Sequence, residues 1–405
     1  MEIKDLLEKD KKKVQNLLFL KRLLSKIINI NNNDNKNSLM KNINYNDKKK
    51  KIRNPGIDLV RILAMYAIII HHILVFPRII YQYNQYKELF LIKISCFWHV
   101  SGFALISGYI GYKTNKYSNL LYLWICTSFY ALNITYFFTK RLQFKDFFPV
   151  YYHKYWYFTK YFGMYLFLPL INKGIISLTN IELRIVDISL IMAFVVFKDI
   201  INPNEDIYLM NEGKSVIWFI IYYITGAYFR ISKKEYNGIK IIFLIIICIL
   251  IFYFSTFFCF YFSNYSLNNL KGYFKNEAIK RLKNLFSLRI SSFPMILQST
   301  SITLLLTHIK YNKYLAKIIT FSGPLIFGVY LIHMHPTILY IITGKLFLKQ
   351  PYNLSLFTVI KYVLIKGLQI FGICLFVDYL RHILFTFLRI RKICIFFENI
   401  VYKIF

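Results

Sequence analysis

The chain has 405 residues, of which 57% are hydrophobic and 19% aromatic, and its formal net charge is +33. Long uncharged apolar runs recur along most of it, which excludes an ordinary soluble domain and indicates a polytopic membrane protein. Most Lys and Arg flank those runs, so lipid contact and topology account for the charge and a nucleic-acid partner is excluded.

Residues 1–55 read as a basic cytoplasmic segment. Asp5 to Ile30 alternates Leu and Ile with Lys and Arg at roughly helical spacing, which fits either a helix lying on the inner leaflet or a solvated tail. It lacks the apolar core and small-residue cleavage site of a signal peptide. Asn31 to Asn46 is an Asn-rich linker, and Lys48 to Arg53 is a basic cluster directly before the first apolar run. That cluster favours a cytoplasmic N-terminus.

Spans must be helical, because unpaired backbone groups in lipid are too costly. The expectation is an all-α fold with about ten transmembrane helices and both termini cytoplasmic. They fall at 57–78, 89–111, 118–138, 156–174, 181–201, 215–231, 239–263, 289–308, 319–342 and 356–386. The transmembrane domain is 56–395 and a short cytoplasmic tail is 396–405. Lys113 and Lys116, Arg230 and Lys233, Lys310 to Lys317, and Arg389 to Lys392 then fall inside, as the charge rule asks. Two loops disagree. Residues 139–155 and 264–288 are basic yet fall outside, so either they serve an anionic substrate or a span is miscounted nearby.

The first span, Gly56 to Pro77, carries Asp58, Arg61, His71 and His72. Ionisable groups inside a span are costly and usually mark a site. Arg61 and His72 are eleven residues apart, three turns plus about 20°, so they share a helix face with Ala64, Met65 and Ile68. His71 is turned about 80° away. Asp58 is three residues before Arg61, within pairing reach. The plain alternative is an interfacial Arg that snorkels and histidines that pack between helices.

This stretch resembles the opening of the acyltransferase 3 family, the integral-membrane O-acyltransferases of bacterial surface glycans. The family's Asp-x-x-Arg-x-x-Ala followed by a His eleven residues after the Arg is matched by Asp58, Arg61, Ala64 and His72. Phe103 to Tyr109 (FALISGY) is similar to its second-span motif. Trp156-Tyr157 through Tyr165, Leu168-Pro169-Leu170 and Asn172 is similar to a later one, and Gly328 to His333 (GVYLIH) to one near the end. The four occur in the family's order. One departure stands out: where many members carry an Arg-rich pair after the second span, this chain has only Lys113 and Lys116.

The resemblance implies transfer of an acetyl or other short acyl group from acyl-CoA to a hydroxyl of a cell-envelope or extracellular glycan, in the inner cell membrane. Acetyl-CoA is the expected donor substrate, with no bound cofactor and no metal. His72 is the candidate base or acyl acceptor, Asp58 orients Arg61, and Arg61 is suited to phosphates of the donor. Ser107, Tyr109, Trp156, Tyr157, Tyr330 and His333 are the candidate substrate-binding residues. Ser107 beside Gly108 reads more readily as a tight packing position, and most Tyr and Trp of 151–165 more readily as an interfacial belt, with a minority left to stack on sugar rings. His99 and His335 are weaker candidates. The six cysteines lack paired spacing and read as small hydrophobes. A transporter or flippase for a lipid-linked saccharide is the alternative, with the same buried His and Arg lining its path. A sensor with residues 1–55 as its output is a third reading.

Overall fold

The computed structural model describes residues 53–202, 205–233, 236, 238–264, 277–345 and 354–404. The expectations for residues 1–52, including the amphipathic stretch and the Asn-rich linker, lie outside the described residues, as do residues 265–276 of the 264–288 loop.

The described residues from Asn54 onward form one helical unit. Helix α1 spans Pro55–Val75. The Asn54 side chain caps it by accepting from Gly56 N (2.9 Å) and ties it down by donating to the Thr307 carbonyl (3.0 Å). Pro55 sits in the first turn, where its missing N–H costs nothing. Helices α2 (Lys87–Cys96) and α3 (His99–Gly111) run nearly end to end, and α4 spans Tyr117–Thr139.

The next apolar run does not make one helix. It divides at Phe167 into α5 (Trp156–Leu166) and α6 (Leu168–Ser177). Pro169 in the first turn of α6 has no N–H to continue the ladder of α5. The run expected at 181–201 becomes α7 (Asn180–Ile191), a π-helical segment Met192–Phe197 and a single turn Lys198–Ile201. Thr179 and Glu182 form a capping box at its start. Helix α8 (Val216–Ile231) is apolar but short. Then come α9 (Ile239–Asn264), α10 (Phe293–His308), α11 (Lys313–Ser322), α12 (Ile326–His333), α13 (Leu356–Phe387) and α14 (Ile390–Ile404). Six helical stretches among the described residues are long and apolar enough to cross a membrane: 55–75, 87–111, 117–139, 239–263, 313–333 and 356–387.

Burial separates central from peripheral elements. In α1, 56% of the apolar window is buried within the protein, against 17% in α9 and 22% in α13. The outward apolar rows of α9 and α13, such as Phe243, Leu250 and Phe257 or Ile373, Leu380 and Phe387, therefore suit lipid. Helix α1 packs on α3, α10, α11 and α13. The closest approach is between α3 and α8. A side chain at Gly108 would collide with the Tyr223 backbone, and one at Gly226 with the backbone of Leu105. Small residues at such contacts let membrane helices approach closely.

Part of the basic charge in the 139–155 loop is paired: Lys154 donates to Asp146 (3.0 Å) and to Thr135 Oγ1 (2.7 Å). Arg289, just past the 264–288 loop, pairs with Asp199 (3.0 Å). The cysteines of the described residues are all free, and each except Cys96 is buried.

Candidate functional site

Asp58 lies in the first turn of α1 and is fully buried. Its Oδ1 accepts from Arg61 Nη1 at 2.7 Å. The carboxylate occupies the space left by Gly323, at the junction of α11 and α12, where any side chain would strike it. One acidic group thus joins the pairing Arg to a second span. Arg61 retains 28% of its side-chain exposure, so its guanidinium reaches beyond the pair. Tyr161 of α5 lies close enough to feel its charge.

Eleven residues along α1, roughly 16 Å at helical rise, His72 meets His333 from the last turn of α12, with ring centroids 5.5 Å apart. Phe76 stacks on the other side of His72 at 4.7 Å. His333 Nδ1 is 2.7 Å from the Val329 carbonyl. A carbonyl only accepts, so Nδ1 carries the proton and Nε2 presents a lone pair. That Nε2 is buried and has no hydrogen-bond partner among the described residues, and neither has His72 Nδ1. A buried polar atom left unpaired costs about 1–3 kcal/mol. Such atoms mark where water or a substrate group completes the site.

His71 points the other way, as the helical arithmetic requires. Its ring lies 5.5 Å from His99 at the start of α3 and 5.1 Å from Phe97. His99 is buried and neither ring nitrogen has a partner among the described residues. His71 and His72 are 5.9 Å apart, so His99, His71, His72 and His333 form a row of four imidazoles. No group of His, Cys, Asp or Glu among the described residues is arranged to hold a metal ion.

Tyr330 and Tyr157 form an aromatic wall beside the row. Tyr330 is 6.3 Å from His333 and 6.0 Å from Tyr157, which also meets Phe219 (4.8 Å) and Phe103 (6.2 Å). Trp156 packs edge-on to Tyr157 at 5.8 Å. Ser107 sits two turns along α3 from His99, and its hydroxyl donates back to the Phe103 carbonyl (2.9 Å). It belongs to the Arg61 level of the site. Tyr109 stands apart in a cluster with Val60, Ala64 and Ile106, its ring covered by Arg230 at 5.3 Å. The structure therefore brings together His72, His333, Tyr330 and Tyr157 at one level, and Asp58, Arg61 and Ser107 at another. Tyr109 joins neither.

A second Asp-x-x-Arg, unremarked in the sequence reading, lies in α13. Arg381 grips Asp378 with Nε (2.7 Å) and Nη2 (2.9 Å), Tyr130 donates to Asp378 (2.8 Å), and Arg381 donates to Tyr122 (3.0 Å). Asp378 fills the space at Gly328 as Asp58 fills that at Gly323. The signal was in the sequence: Asp378 and Arg381 repeat the spacing of Asp58 and Arg61 inside an apolar run.

A family model described as an acyltransferase domain, that of acyltransferase 3, matches residues 54–377. The chain belongs to the acyltransferase 3 family. The match opens at the N-cap of α1 and runs into α13, so it takes in every site residue described above except Asp378 and Arg381. No curated protein and no solved structure matches the chain. Membership makes it a membrane acyltransferase, and the motifs that suggested the family are the ones that carry the imidazole row and the Asp58–Arg61 pair.

Proposed function

We propose that this acyltransferase moves an acetyl or other short acyl group from acyl-CoA to a hydroxyl of a cell-envelope or extracellular glycan, in the inner membrane. In this reading the chain crosses the bilayer about ten times, with the interrupted 156–177 and 180–201 segments and the short α8 and α10 completing the set, and both ends cytoplasmic. The observation that carries it is the meeting of His333 of α12 with His72, which lies on the helix that also bears Asp58–Arg61.

The chemistry follows from that pair. An imidazole lone pair takes the proton of the acceptor hydroxyl as its oxygen attacks the thioester carbonyl. The tetrahedral oxyanion collapses, the C–S bond breaks, and the thiolate takes the proton back from the imidazolium. His72 is the base and His333, its tautomer fixed by the Val329 carbonyl, is the second imidazole that holds or relays the proton. Arg61, partly exposed beside Asp58, is a guanidinium suited to the donor's phosphates. Tyr157, Tyr330 and Trp156 offer faces on which a sugar ring stacks.

The test is transfer of label from acetyl-CoA to glycan in membranes that contain the wild-type chain, against membranes that lack it. Label in glycan above the control supports the enzyme. Glycan that crosses the membrane with no thioester consumed would instead make it a transporter.

A further inference from the structure

Beyond the transfer site, one element is left half-covered. The last span, α13, ends at Phe387, and Arg389, with φ of 53°, turns the chain sharply into α14. Helix α14 packs against α4 and α13. Its inner side is fixed by Cys394, which is fully buried, by Arg391 over the Tyr122 ring (5.7 Å), and by Tyr402 donating to the Asn115 carbonyl (3.5 Å). These contacts lie at the start of α4, so α14 lies along that end of the bundle.

Its other sides differ in character, although Ile395 and Phe396 flank the basic arc. At 100° per residue, Ile393, Phe397, Ile400 and Ile404 fall within an arc of about 60°. Phe397 and Ile404 expose 52% and 70% of their surface. Lys392, Asn399 and Lys403 share a second arc about 110° away. Ile395 falls outside the apolar arc. The helix thus has an inner face on protein, an apolar face open to the outside and a basic face.

Two features identify what covers the apolar face. The last turns of α13, directly before α14 in the chain, carry the exposed apolar row Leu380, Ile383, Leu384 and Phe387, a surface suited to lipid. The outward charged margin of α14 is basic, with Lys392 and Lys403 on the element, Arg389 at the turn before it, and Lys113 and Lys116 flanking Asn115, which Tyr402 contacts, while Glu398 turns inward with one oxygen buried. We propose that α14 is an in-plane helix seated in an anionic lipid leaflet, with Phe397 and Ile404 in the acyl region and Lys392 and Lys403 on acidic headgroups. Helices with this division of faces bind by apolar burial and by attraction to anionic lipid.

The experiment places an environment-sensitive fluorophore on the full chain through Phe397→Cys or Asn399→Cys and reconstitutes each in vesicles of zwitterionic lipid or of zwitterionic lipid with about a third phosphatidylglycerol. Nitroxide-bearing lipid should quench the probe at 397 several-fold more than the probe at 399, and aqueous iodide should do the reverse. Quenching at 397 should deepen in anionic vesicles, and Lys392→Glu with Lys403→Glu should abolish that dependence. Equal iodide quenching at both positions, or disulfide cross-linking of 397 between copies with no lipid quenching, would overturn the lipid seat. Identical quenching in the two lipid mixtures would overturn its anionic character.

Discussion

His333 differs from His72 in one hydrogen bond. The Val329 carbonyl fixes His333 in a single neutral tautomer with its Nε2 lone pair facing inward. A base and a fixed partner imidazole give unequal mutational effects. His333→Ala should lower transfer, and His333→Gln should restore part of it by keeping a polar group near His72, measured as initial rates at saturating donor. Ser107 makes the opposite case. Its hydroxyl is spent on the Phe103 carbonyl, and such back-bonded hydroxyls serve the helix rather than a reaction. Ser107→Ala should retain activity within about threefold, where loss of a catalytic group costs about 10²- to 10⁴-fold. Arg61→Lys should raise the KM for the acyl donor more than it lowers kcat, because Lys cannot reproduce the forked geometry.

At the scale of elements, two carboxylates hold the 313–333 span from opposite neighbours: Asp58 of α1 at Gly323 and Asp378 of α13 at Gly328. The Asp378–Arg381 pair is the more enclosed of the two, with Tyr130 and Tyr122 around it. Breaking a buried ion pair on one side costs about 3–5 kcal/mol, whereas replacing both partners with apolar groups of similar volume is far milder. Asp378→Ala should therefore lower the thermal midpoint of the detergent-purified protein, and Asp378→Leu combined with Arg381→Met should recover most of the loss. A double variant as unstable as the single one would mean that the pair does more than satisfy itself.

Much of this was legible in the residues. Helical arithmetic along α1 placed His72 over Arg61 and turned His71 away, and those directions are the ones His333 and His99 meet. Apolar length located α1, α4, α9 and α13 within a few residues. Period alone did not show that the 156–174 run breaks at Phe167, because Pro169 is compatible either with a kink or with a new helix start. Which distant imidazole would face His72 was also invisible, since that depends on how α12 packs on α1. Asp378 and Arg381 were missed for a different reason: the run around them is so apolar that it reads as a plain span.

Across the whole molecule, the reaction centre and the basic groups that would meet a donor lie at different levels. Arg61 is near the start of α1, and His72 is roughly 16 Å further along the same axis. A donor phosphate at Arg61 and a thioester at His72 are compatible only with an extended donor that reaches along α1, or with an acyl group passed on by an imidazole. The loop between α4 and α5 carries its own charge balance. Burial pushes the Asp146 carboxyl up, but the Gln143 N–H and the Lys154 ammonium outweigh it and hold it below the usual range. A depressed carboxylate contributes stability above the ordinary aspartate value of about 4, and that contribution is lost as pH falls through the folded value. Asp146→Asn should lower the thermal midpoint at neutral pH and shrink its difference from wild type below pH 4.

The most direct test of the account compares membranes that contain the wild type, His72→Ala and His71→Ala for acetyl transfer from labelled acetyl-CoA to glycan. Label should enter glycan with the wild type and, within about tenfold, with His71→Ala, and should fall by about 10²-fold or more with His72→Ala. Equal labelling by all three chains would remove His72 from the mechanism and contradict the account.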